Sequence, residues 1–198
     1  MRKIVVPLVC SVVCLWMSPS AAQERTTILI SYYSQQGHTR EMAEAIARGA
    51  RSAGAVTVKV LTIAKTTTVD LLAADAIIVG SPVHNANAAA EVVGFINHWP
   101  FQGAPLRDKI GAAFVTGGGI SAGEELAQLN ILHSMLIFGM IIIGGPEWTS
   151  AFGASAITGE SPFDTLGSGS GVAPGFVKKG EALGKRVAEL AMKWKRNR

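Results

Sequence analysis

A chain of 198 residues, 48% hydrophobic and 16% charged, is long enough for one domain with a proper core. Its net charge of +4 comes with no motif that reads DNA or RNA, so nucleic-acid binding is not expected. Two cysteines, Cys10 and Cys14, both near the start, and four scattered histidines exclude a disulfide framework and the usual zinc clusters.

The first element is a targeting segment. Arg2 and Lys3 precede the apolar run of residues 4–17, and small residues follow, with Ser20 and Ala22 placed for cleavage after Ala22. The run is shorter than the roughly 20 apolar residues of a membrane span. A signal peptide over residues 1–22 is therefore expected, followed by one domain over 23–198. That predicts export to a bacterial periplasm, with no stable membrane span after cleavage and no cysteine left in the mature chain.

Five short runs, at 26–34, 55–63, 75–82, 109–117 and 139–146, are rich in β-branched residues and nearly continuous in apolar character. Such runs suit strands covered on both faces. Helical spacing occupies 40–54, 86–99, 123–139 and about 175–195. The last helix carries eight basic residues, read as a solvated helix end. Alternating strands and helices imply a parallel sheet with right-handed crossovers. The predicted fold is α/β, a flavodoxin-like doubly wound five-stranded sheet of order 2-1-3-4-5 in three α/β/α layers. Residues 147–175 are expected to form a long loop after the fifth strand.

Ligands in such sheets sit beyond the carboxyl ends of the strands. Three loops leave those ends, and each is unusual. In "SQQGHT", Ser34 and Thr39 offer hydroxyls, Gly37 allows close backbone approach, and the next helix presents free N–H groups. With no lysine and no GxGxxG, this loop suits a single terminal phosphate. A plain capped helix start, with Thr39 as N-cap, explains Thr39 but not Ser34 or Gly37. The second loop, "GSPVHNANAAAE", leads from a Ser-Pro into an Ala-rich helix. The third, "TGGGISAGEE", spends three consecutive glycines, which suits backbone lying against a flat ligand. A flexible loop is the competing reading of that segment.

The motifs "YYSQQGHT", "GSPVHNAN" and "GEELAQLNILHSMLIFGMIIIGGP", in this order, resemble the FMN-containing NAD(P)H:quinone oxidoreductases, also called Trp-repressor-binding proteins. The similarity spans nearly the whole chain after residue 22. The resemblance implies that Ser34, Gln35, Gln36, Gly37, His38 and Thr39 hold the FMN phosphate, with Gln36 also meeting the nicotinamide. Pro82, Val83, His84, Asn85 and Asn87 would flank the isoalloxazine. Thr116, Gly117, Gly118, Gly119, Ile120 and Ser121 would follow its other edge, and amides from Gly118 to Ile120 would face the reduced ring. Phe101 would stack on the quinone, and His84 would donate a proton or a hydrogen bond. NAD(P)H is the implied donor, a quinone-type small molecule the acceptor, and a homo-oligomer (dimer or tetramer) the implied assembly. Phe138 stands where the family commonly has a histidine. An exported flavodoxin-like electron carrier without NAD(P)H activity is the alternative, as is a domain that has lost its cofactor.

Overall fold

A computed structural model describes residues 25–163 and 171–197. The expected signal peptide and its cleavage site lie outside them. The chain runs β1 (Thr26–Tyr32), α1 (His38–Ser52), β2 (Val56–Thr62), α2 (Thr68–Ala73), β3 (Ala76–His84), β4 (Asn87–Ala88), α3 (Ala90–Asn97) and β5 (Ile110–Gly117). It continues with α4 (Glu124–Ile137), β6 (Ile141–Ile142), β7 (Ala154–Ile157) and α5 (Pro174–Arg196).

The sheet follows β2-β1-β3-β5-β6, with all of these neighbours parallel. Counting the five expected strands alone, this is the order 2-1-3-4-5. The sheet nevertheless has seven strands, and the difference lies in two places. The fifth position is shared: β6 pairs with Ile110 and Gly111 at the start of β5, while β7 pairs with Phe114 to Gly117 at its end. Residues 147–175 are thus not one loop, since β7 completes the edge. The other addition is β4, which folds back antiparallel on the end of β3.

Alternation along β1 divides the core. Ile28 and Ile30 face α1 and α5, where they pack with Met42, Ile46, Phe114, Leu183 and Val187. Leu29 faces the opposite layer with Ile77, Val92, Ile96, Ile131 and Met135 from β3, α3 and α4. Every residue of β5 is buried, as expected of a strand covered on both faces. The α1–α5 pair is unusually close. A Cβ placed on Gly184 would overlap the Ile46 carbonyl, and one on Gly49 would overlap the Glu181 carbonyl. Glycine therefore lets two helix backbones touch.

Helix α2, which periodicity did not predict, is fixed by a capping box. The Thr67 hydroxyl accepts the Asp70 N–H, and the Asp70 carboxylate accepts the Thr67 N–H at 3.0 Å. The Thr67 hydroxyl, which also donates to that carboxylate at 2.7 Å, then the Thr67 N–H and Lys59 at 3.0 Å, lower the Asp70 pKa from 3.8 to about 2. A depressed carboxylate pKa contributes stability that is present above 3.8 and lost as pH falls through about 2. The site is at the surface, so screening limits the contribution to about 1 kcal/mol or less. Asp70→Asn should remove that increment at pH 6 and have a clearly smaller effect at pH 2, where the carboxylate is about half protonated, as urea titrations at the two pH values will measure.

Candidate functional site

The carboxyl ends of β1, β3, β5 and β7 open onto one cavity of about 230 Å³. Its walls are Gln35, Gln36, His38 and Thr39 from the first loop, Pro82, Val83 and His84 from the second, and Thr116, Gly117 and Gly118 from the third. Thr158, just past β7, completes the lining.

The first loop is held by its own serine. Ser34 Oγ accepts the Gly37 N–H at 3.1 Å and the Arg40 N–H at 3.4 Å. Gly37 is the N-cap of α1 in the left-handed region, with φ 98°, a conformation that L side chains rarely adopt. Thr39 is not the cap. It is buried in the first turn, and its hydroxyl meets that of Thr116 at 2.8 Å, tying α1 to the end of β5. Ser34 and Gly37 shape the turn from behind the lining residues.

The second loop is a tight hairpin. Asn85 and Ala86 have φ 49° and 62° between the paired residues His84 and Asn87, the signature of a type I′ turn. The buried Ser81 hydroxyl accepts the Ala89 N–H at 2.9 Å and donates to the Pro82 carbonyl, fixing the start of α3. Asn87 donates to the Asn85 carbonyl and accepts from Asn130 of α4 at 2.9 Å. Asn85 and Asn87 are therefore outside the cavity lining, and Asn87 pins the hairpin to α4. His84 and Val83 are left facing the cavity.

A polar relay connects these two loops. Gln35 Nε2 donates to the Tyr33 hydroxyl at 3.1 Å. The hydrogen bond with Glu91 raises the Tyr33 pKa above its ordinary value. Glu91 itself sits below the usual carboxylate range, held first by its own backbone N–H, then by Tyr33, with His84 adding a charge effect.

The third loop is zipped to the segment after β7. The Gly117 carbonyl accepts the Thr158 N–H and hydroxyl, and the Gly118 carbonyl accepts the Gly159 N–H at 3.0 Å. Gly119, Ile120 and Ser121 lie beyond the lining. The Ile120 N–H donates to Glu160 at 2.6 Å and the Ser121 N–H to Glu124 at 3.3 Å. Ile120 therefore has its amide engaged by a carboxylate rather than offered to a ligand.

Phe101 does not reach this cavity. It follows α3 at the amino-terminal edge of the sheet, 57% exposed, edge-on to Phe138 at 5.8 Å. Thr158 was hidden from sequence reasoning because nothing marked β7 inside a Gly- and Ser-rich stretch. Among the described residues, no three His, Cys, Asp or Glu side chains gather as metal ligands.

Residues 65–155 match the family described as NADPH-dependent FMN reductase. A protein of Azorhizobium caulinodans called NAD(P)H dehydrogenase (quinone) is 34% identical over 82% of this chain and 98% of its own. One of the same name from Methylocella silvestris is 34% identical over 85% of this chain and 98% of its own. Among solved structures, a flavodoxin, WrbA-like protein from Agrobacterium tumefaciens superposes with a TM-score of 0.68 at 21% identity, covering 85% and 98% of the two chains. The two-electron reduced flavodoxin of Megasphaera elsdenii gives 0.55 at 26% identity, covering 80% and 98%.

Proposed function

The chain belongs to the NAD(P)H dehydrogenase (quinone) family, and from that premise we propose that it binds FMN in this cavity and passes electrons from NAD(P)H to a quinone-type acceptor. The observation that carries the reading is the convergence of three separate loops on one cavity at the carboxyl edge of the sheet.

The residues present fit FMN. Gln35, Gln36, His38 and Thr39, on a turn shaped by Ser34 and Gly37, and the amino terminus of α1 offer donors and a positive dipole end for one phosphate. Gly118 has nothing within 4 Å of where a Cβ would stand, so a flat group has room to lie against the backbone there. Pro82 and Val83, beside it on the adjacent strand, supply an apolar part of the wall. FMN supplies the two-electron chemistry between nicotinamide and quinone. The chain's own residues bind, orient and leave room. Among the described residues neither tryptophan nor tyrosine lines the cavity, which leaves room at its mouth for a second molecule. That openness favours an enzyme over a carrier with a covered flavin.

Gln36 and His38 stand at the rim of the first loop, where a nicotinamide has access. His84 lines the cavity, where its imidazole can donate a hydrogen bond or a proton as the acceptor is reduced. His84→Ala should lower kcat with benzoquinone about tenfold or more and leave FMN affinity within about threefold. Unchanged kcat would reduce His84 to a wall residue.

Export after cleavage behind Ala22 and self-association into a dimer or tetramer belong to the same reading. Amino-terminal sequencing of protein from the periplasmic fraction, and sedimentation of the purified chain, test them. The activity is tested by steady-state oxidation of NADH and of NADPH with benzoquinone as acceptor. Quinone-dependent turnover that requires FMN is expected; FMN binding without turnover would make the protein a carrier.

A further inference from the structure

In the third loop, two successive amides of the kind expected to face a reduced flavin are already taken by carboxylates. The Ile120 N–H donates to Glu160 Oε2 at 2.6 Å, and the Ser121 N–H donates to Glu124 Oε1 at 3.3 Å. The two acids come from different elements, since Glu160 follows β7 and Glu124 opens α4. Glu160 is held from behind. Its carbonyl accepts the Phe163 N–H, and the Phe163 ring packs edge-on against Phe176 of α5 at 5.2 Å. Its carboxylate crowds Gly119, where an added Cβ would lie 2.9 Å from Oε2. The N–H and C=O of a trans peptide point opposite ways, so the Gly119 carbonyl is turned from Glu160 toward Gly117, 3.9 Å from where a Cβ would stand on that lining residue. Among the described residues neither acid forms an ion pair, and Glu124 Oε2 is buried without a hydrogen-bond partner.

We propose that Glu160, seconded by Glu124, is a positioning residue that sets the reduction potential of the flavin: it turns the Gly119–Ile120 peptide and leaves negative charge at the cavity rim, so that reduced FMN is held less tightly than oxidised FMN. The proposal rests on FMN occupying the cavity. Hydride from a nicotinamide brings two electrons and one proton, so a flavin that takes no second proton gains one negative charge. Amide N–H groups aimed at the ring would stabilise that charge. A carbonyl oxygen and an uncompensated carboxylate do the reverse, and more strongly beside a partly dry cavity than in bulk water. Electrons therefore leave more readily than from a flavin facing free amides. Both electrons and the proton pass to the quinone, which takes a second proton from solvent to become the quinol.

The test measures the two-electron reduction potential of the FMN-loaded chain by equilibration with reference dyes, after a fluorescence titration has given the affinity for oxidised FMN. Glu160→Gln keeps an oxygen for the Ile120 N–H and removes the charge. It should bind oxidised FMN within about threefold of wild type and reduced FMN about tenfold tighter, which for a two-electron couple raises the potential by about 30 mV. Glu160→Asp keeps the charge and should stay near the wild-type potential. Glu124→Gln, on a different element, should shift the potential upward by less. Glu189→Gln, near the end of α5 that Lys195 ties to Arg25 ahead of β1, makes the same change of net charge far from the cavity and should shift nothing. Equal potentials in wild type and Glu160→Gln overturn the proposal, as does an equal shift with Glu189→Gln. So does loss of FMN binding in Glu160→Gln, which would make the carboxylate a fastener of the loop. A wild-type chain that takes up no FMN removes the reading beneath the proposal, and the proposal with it; unchanged potentials with FMN bound leave that reading standing.

Discussion

Gly37→Val should lower FMN affinity about a hundredfold while leaving most of the stability intact. Gly37 caps α1 at φ 98°, where a β-branched residue costs of order 1–3 kcal/mol. The strained residue escapes that cost by opening the turn, which moves the first N–H groups of α1 off their common focus. Ser34→Ala acts on the same turn with a smaller effect. It deprives the Gly37 and Arg40 N–H groups of their acceptor, worth about 1 kcal/mol or roughly a fivefold to tenfold loss of affinity. Fluorescence titration with FMN measures both. Equal affinity in wild type and Gly37→Val would show that the phosphate is held elsewhere. The turn is half-exposed, so the strain is relieved locally and the core beneath it is spared.

Gly184→Val is the complementary case, expected to cost about 3 kcal/mol or more and to leave the cavity's residues untouched in kind. The α1–α5 pair packs backbone to backbone, and a side chain at Gly184 has the Ile46 carbonyl in its place. Relief requires the helices to separate, which loosens Met42, Ile46, Leu183 and Val187 together. Overpacking of a tight core costs about 1–3 kcal/mol, more when backbone blocks the way. Total stability is about 5–15 kcal/mol, so a large share is removed. Thermal unfolding followed by circular dichroism should show a fall in Tm of roughly 10 °C or more for a domain of this size. A Tm within a few degrees of wild type would mean that the helices slide at little cost.

Central strands were legible because burial on both faces forces a continuous apolar run, as in "ILISY" and "AIIVG". Edges were not. β6 has only two paired residues, and β7 interrupts a stretch whose glycines and serines look like loop. The Ala-rich "ANAAAE" reads as the start of a helix, yet Asn85 and Ala86 take left-handed angles, residues 87 and 88 pair in a hairpin, and the helix begins only at Ala90. For α2 a signal was present, Thr67 followed three residues later by Asp70, but six residues are too short for periodicity to register. At the site, the three loops were recognisable by their odd composition, while the division of labour within them was not. Whether Ser34 faces a ligand or its own turn, and whether Asn87 faces the cavity or Asn130, depends on contacts between residues far apart in sequence. Phe101 was placed beside the quinone by resemblance alone, and tertiary structure puts it at the other edge.

One measurement bears most directly on the central reading. The purified chain, loaded with FMN under anaerobic conditions, is mixed with NADH or NADPH and its visible flavin absorbance followed, then benzoquinone is added. Loss of the absorbance on the nicotinamide, and its full return on the quinone, is the predicted result. A chain that takes up no FMN, or one whose flavin stays oxidised with either nicotinamide, would contradict it.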